Sequence, residues 1–193
     1  MKFTEFGLEA DFAHFGIYPG EWKGLTGIIT APLVHADIKH LIDNSVPVFV
    51  LSVAIFYFYR EIAYKIFFII YFVTGFLVWI AGREAYHIGA SGLIYGYAAF
   101  LFLSGVLRKN TNLLSISLLV IFLYGSLIWG ILPYDYTISW ESHLMGGLTG
   151  FVMAIIYKNE GPPRPKYSWE DEDENEDAVE NNEYKNYSSE LRE

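Results

Sequence analysis

Five apolar runs, each about as long as a bilayer's hydrocarbon layer is thick, constrain this chain more than any other feature. The first begins at about His35 or Ile38 and ends near Tyr59; the others cover approximately 62–81, 91–107, 113–132 and 140–157, with polar turns between them. A helix crossing the ~30 Å apolar layer needs about 20 mostly apolar residues. The alternative is a soluble bundle around a large core. Its helices would each keep a polar face, and the runs at 66–81 and 113–132 show almost none. With 53% hydrophobic residues, the chain also exceeds the roughly 45–50% usual for soluble domains. The expected fold is all-α, a polytopic membrane helix bundle.

Around that bundle the sequence predicts two flanking segments. Residues 1–34 hold no run long enough to span and no basic start leading into an apolar core, so no cleavable signal is expected. Phe12, Phe15, Tyr18 and Trp22 suit a membrane-surface position. The membrane-embedded part covers 35–158. From 159 onward, Gly161-Pro162-Pro163-Arg164-Pro165 cannot continue a helix, and 170–177 has the composition of a solvated, self-repelling tail. Residues 159–193 hold 12 acidic and 4 basic side chains, −8 of the net −9, so the acidity belongs to the tail. No basic patch suggests nucleic acid, and the absence of cysteine excludes disulfides and thiolate chemistry. Near the span ends Arg60, Lys65, Arg108, Lys109, Lys158, Arg164 and Lys166 fall on one side, against Lys2, Lys23, Lys39 and Arg83 on the other. The positive-inside bias then puts the C-terminal tail in the cytoplasm and the starts of spans one, three and five on the outer side.

Polar residues within spans are costly and mark function, and here they concentrate at those three starts. His40 and Asn44 are four apart, one turn of a helix, so two donors share a face and could hold an oxyanion. Ser91 sits in Gly89-Ala90-Ser91-Gly92, one residue short of a Gly-x-Ser-x-Gly elbow. Taken alone it reads more readily as a packing serine. His143 lies at the corresponding depth of the fifth span. Gly92 and Gly96 follow Ser91, and Gly146 and Gly150 follow His143, at the four-residue spacing that lets membrane helices pack with backbones near contact. Such an approach is what a serine and an activating imidazole need. Tyr95, one turn below Ser91, could pack on His143. Glu141 falls on another face from His143, so a two-residue dyad is the economical reading. A metal is not expected: no His-Glu-x-x-His occurs, and His35 and His40 do not share a ligand face. Asp43 and Asp135 lack facing partners for a carboxyl pair, and a transporter would not call for serine and histidine beside matched glycines.

Taken together these residues resemble the rhomboid intramembrane serine proteases. His40-x-x-x-Asn44 with upstream His35, Gly89-Ala90-Ser91-Gly92 with Tyr95, and Ser142-His143-Leu144-Met145-Gly146 match that family's motifs in order over about residues 17–157. The resemblance implies Ser91 as nucleophile and His143 as general base. It also implies an oxyanion hole of His40, Asn44 and the Ser91 N–H, Tyr95 stacked on His143, and Gly89 as a supporting residue. The implied reaction is cleavage of membrane-protein substrates in or beside their transmembrane helices, with small residues before the cut and helix-destabilising ones after it. No cofactor or metal would be needed, the bilayer would be the other partner, and the setting would be the bacterial cytoplasmic (inner) membrane. A catalytically silent, client-binding relative is the alternative. The family core has six spans; five are visible here, the first of the usual six not being in this chain.

Overall fold

The computed structural model describes residues 12–123, 130–133 and 135–162. The membrane-surface position expected for 1–11 and the solvated tail expected beyond 162 concern residues outside these. Five long helices lie where the five apolar runs predict them: α1 (Ile38–Phe58), α2 (Ala63–Ala81), α3 (Ser91–Arg108), α4 (Thr111–Leu123) and α5 (Trp140–Ile156). The stretch expected to carry the fourth run to 132 lies partly outside the described residues. By length and apolarity α1, α2 and α3 can cross a membrane, and α4 is a shorter apolar helix.

Helix ends follow local chemistry. Asp37 caps α1 by accepting from the His40 N–H at 2.7 Å. After α3, Lys109 adopts the left-handed conformation common at helix C-termini. The Asn110 side-chain oxygen then accepts from the N–H groups of Asn112 (3.1 Å) and Leu113 (3.3 Å), starting α4. Pro47 removes one intrahelical bond within α1, one turn beyond Asn44.

The core is centred on α3. Leu93, Tyr97, Phe100 and Leu101 of α3 pack with Leu51 and Ile55 of α1, Ile66 and Ile70 of α2, Leu113 of α4 and Met153 of α5. The opposite faces carry exposed apolar rows: Ile42, Val46, Phe49 and Val53 on α1, Phe68, Phe72, Phe76 and Ile80 on α2, and Leu148, Val152 and Ile155 on α5. Their three- and four-residue spacing makes continuous stripes far larger than water-facing surfaces carry; hydrocarbon is the solvent that suits them.

Residues 12–34 form short helical turns laid along α2. The Gly20 N–H donates to the Trp79 carbonyl (3.0 Å), the Trp79 indole to the Glu21 carbonyl (2.9 Å), and the Tyr71 hydroxyl to the Ile29 carbonyl. The same segment exchanges a pair of backbone hydrogen bonds between Ile17 and His87, both 2.9 Å. It thereby fixes the loop that delivers Ser91.

Candidate active site

Ser91 owes its position to the loop 82–90. Gly82 ends α2 in an extended conformation, the Ile17–His87 bridge holds the loop's middle, and the Gly89 N–H donates to the Ala31 carbonyl at 2.9 Å. Gly89 itself has φ +97°, and a Cβ there would also meet the His40 ring at 2.9 Å. Both facts require glycine. The turn makes Ser91 the first residue of α3, where helix geometry leaves its N–H without an intrahelical acceptor.

His143 lies in the first turn of α5, which packs on α3 along a seam of glycines. A Cβ at Gly146 would overlap the Gly92 carbonyl, and one at Gly150 the Gly96 carbonyl. With hydrogens in place of side chains the two backbones touch, and His143 Nε2 lies 2.8 Å from Ser91 Oγ. The ring's other nitrogen, Nδ1, is 2.7 Å from the Gly130 carbonyl. A carbonyl only accepts, so Nδ1 donates; in the neutral ring Nε2 then holds the lone pair and accepts from the serine hydroxyl. Tyr95 stacks on the imidazole, with centroids 4.2 Å apart and planes 14° from parallel.

His40 and Asn44 come from α1 on the far side of Gly89. The His40 Nδ1 accepts from the Ala36 N–H at 3.3 Å. In the neutral ring the proton therefore sits on Nε2, the nitrogen that faces Gly89. The Asn44 side-chain nitrogen is buried with no acceptor among the described residues and lies 3.4 Å from where a Gly89 Cβ would be. Two side-chain donors thus converge beside the turn that carries Ser91. His35 packs edge-on against His40, with centroids 5.0 Å apart. His40, Asn44, Ser91, Tyr95 and His143 line one cleft of about 820 Å³, walled by α1, the loop 82–90 and the segment 136–139.

Sequence reasoning missed the third partner of His143, the Gly130 carbonyl, and a polar cluster at the edge of the cleft. Arg83 Nη1 donates to both carboxylate oxygens of Glu141, at 3.0 and 3.1 Å. Its Nη2 donates to the carbonyls of Tyr136 and Ile138, both at 2.9 Å. Glu141 is only 2% exposed. The face that turns it away from Ser91 turns it toward Arg83. Opposite charges at the end of the second apolar run and the start of the fifth were the available signal. Next to this pair, His87 Nε2 donates to the Arg83 carbonyl at 3.1 Å, so Nδ1 accepts from the Ser139 hydroxyl at 2.6 Å. The Ser139 proton being thus engaged, Ser142 donates to Ser139 at 2.7 Å. Burial holds the His87 pKa below its ordinary value, against the nearby Arg83 carbonyl and Glu141, which raise it.

A family model described as Rhomboid domain matches residues 22–160. The chain belongs to the rhomboid family. It is similar to proteins of Mycobacterium bovis and Mycobacterium tuberculosis that are described as uncharacterized, with 36% identity over 156 residues, 73% of this chain and 62% of each relative. A Mycobacterium leprae protein, also described as uncharacterized, is 32% identical over 142 residues, 68% of this chain and 56% of its own length. The chain thus spans about three fifths of the length of the curated relatives it matches. No solved structure matches it. As a rhomboid with three helices able to cross a bilayer, it is an integral membrane protein.

Proposed function

We propose that this rhomboid is an intramembrane serine endopeptidase acting through Ser91 and His143. The observation that carries this reading is the 2.8 Å approach of Ser91 Oγ to a His143 Nε2 whose lone pair faces it. Ser91 Oγ attacks the carbonyl carbon of a peptide bond while its proton passes to Nε2. The charge that develops on the carbonyl oxygen meets the Ser91 N–H, His40 Nε2–H and the Asn44 amide. His143 returns the proton to the leaving amine, and water entering the cleft hydrolyses the acyl-enzyme with His143 again as base. The Gly130 carbonyl and the Tyr95 ring hold the imidazole in that orientation, and the carbonyl stabilises the imidazolium. No metal or cofactor takes part. The substrates are membrane proteins cut in or beside a transmembrane helix, reached through the polar outer ends of α1, α3 and α5. Residues 35–158 form the catalytic domain, with 1–34 at the interface and 159–193 a solvated tail on the cytoplasmic side of a bacterial inner membrane.

Reconstitution with a transmembrane substrate tests the reading. Wild type should cut it and react with a fluorophosphonate at Ser91; Ser91→Ala and His143→Ala should do neither. Equal cutting by all three would remove the dyad. Binding of the substrate by wild type without cleavage or labelling would assign the protein to the silent, client-binding relatives instead.

A further inference from the structure

Resting on that protease reading, the cluster at the cleft edge points to a residue that the reaction scheme does not use. We propose that Arg83 is a positioning residue: anchored on Glu141, it holds the 136–138 segment against the loop that delivers Ser91 and so fixes the wall along which a substrate chain enters the cleft.

The geometry carries this in three steps. Arg83 belongs to the loop 82–90, whose Tyr86, His87 and Ile88 line one side of the cleft, while Tyr136, Thr137, Ile138 and Ser139 line another. Its planar fork bonds from that loop to α5 and to the second side at once, with Glu141 Oε1 and Oε2 on one nitrogen and the Tyr136 and Ile138 carbonyls on the other. Lysine, a point donor, cannot reproduce four such bonds. Second, the anchor cannot drift. Glu141 is fixed in the first turn of α5, two residues before His143, and is buried on the side of that turn facing Arg83. The Tyr136 ring adds a cation–π contact, with the guanidinium carbon 5.7 Å from its centroid. Third, a parallel tether runs through side chains: Ser142 to Ser139 to His87, which ends on the Arg83 carbonyl. Both tethers attach the 136–139 segment to the loop preceding Ser91, and residues of α1 line the same cleft. A wall held in advance spares a substrate the cost of ordering it. Arg83 therefore acts on substrate binding, while the Ser91–His143 pair is left as it is.

Removing the guanidinium alone would strand a buried carboxylate, so the test pairs Arg83→Lys with the double variant Arg83→Gln/Glu141→Gln, which keeps the volume and leaves no unpaired charge. In proteoliposomes with a transmembrane substrate, the double variant should raise KM about tenfold and leave both kcat and the rate of Ser91 labelling by a small fluorophosphonate within about threefold. Arg83→Lys should lie between it and wild type. An unchanged KM, with losses confined to kcat, labelling or thermal stability, would make the pair a structural strut and overturn the proposal. A lowered KM would also overturn it, since the segment would then obstruct entry. Wild type that neither cleaves nor labels would end the protease reading and the positioning role with it; wild type that does both, with KM unmoved in the variants, would end the positioning role alone.

Discussion

Helices α3 and α1 both bring groups to the cleft, yet they are built to opposite specifications. Eleven of the 18 residues of α3 are buried, against five of the 21 in α1. α3 lies at the centre of the core and touches α5 backbone to backbone, so Ser91 and His143 ride on the part of the molecule least able to move. α1 presents Ile42, Val46, Phe49 and Val53 outward and meets the site through one face carrying His40 and Asn44. Ser91 and His143 are set by close packing, which tolerates almost no change of volume. The side-chain donors stand on a peripheral wall, where substitution alters chemistry before it alters the fold.

The strongest test of this contrast is the glycine seam. Gly146→Val should cost about 3 kcal/mol or more of stability and reduce cleavage to background, because its Cβ would meet the Gly92 carbonyl. Gly147→Ala, one residue on, meets nothing within 4 Å and should leave both unchanged. Thermal unfolding in detergent and a cleavage assay read the pair; a folded, active Gly146→Val would break the comparison. Next, Asn44→Ala should lower kcat by about 10²–10³-fold while the unfolding temperature barely moves, which single-turnover cleavage and the same melts can check. Phe100→Ala on α3 and Phe49→Ala on α1 then remove the same ring from a fully buried and a 69% exposed position. The first should cost ~3–5 kcal/mol and the second about 0.5 kcal/mol or less; similar losses would mean that α1 is held as tightly as α3.

The smallest expected effect is a pH dependence at the loop between α2 and α3. Burial lowers the folded-state pKa of His87, so between that value and its ordinary one near 6.5 the unfolded chain binds the extra proton. The resulting stability is present above about pH 6.5 and is lost as pH falls through the folded pKa. Wild type should therefore lose more thermal stability between neutral and mildly acidic buffer than His87→Gln does. Equal losses would show that the ring's burial is not what acid disturbs.

Much of this was legible in the sequence because it is written in side-chain type and spacing. Apolar runs gave α1 to α5, and glycines at four-residue intervals beside Ser91 and His143 predicted a close helix pair. His40 and Asn44 announced themselves as polar groups one turn apart in a membrane helix. What stayed hidden depends on contacts between distant parts of the chain. Arg83 and Glu141 are 58 residues apart, and Glu141, read only against His143, pointed the wrong way to matter. Composition predicts only an interfacial place for residues 1–34; that Ile17 bridges to His87 and the Ala31 carbonyl receives the Gly89 N–H left no periodicity to find, because single backbone pairs have none.

The Gly130 carbonyl opposite His143 Nδ1 has a practical corollary. Every residue except proline offers the same oxygen and the same donor, and even proline keeps the oxygen, so no codon change deletes this group. An alanine or saturation scan of the chain would record two indispensable partners and pass over the third. The observable that does register it is the imidazole itself. In wild type the Nδ1 proton should give a discrete downfield NMR resonance, and replacing Gly130 by a bulkier residue should shift that signal while leaving the acceptor atom in the chain.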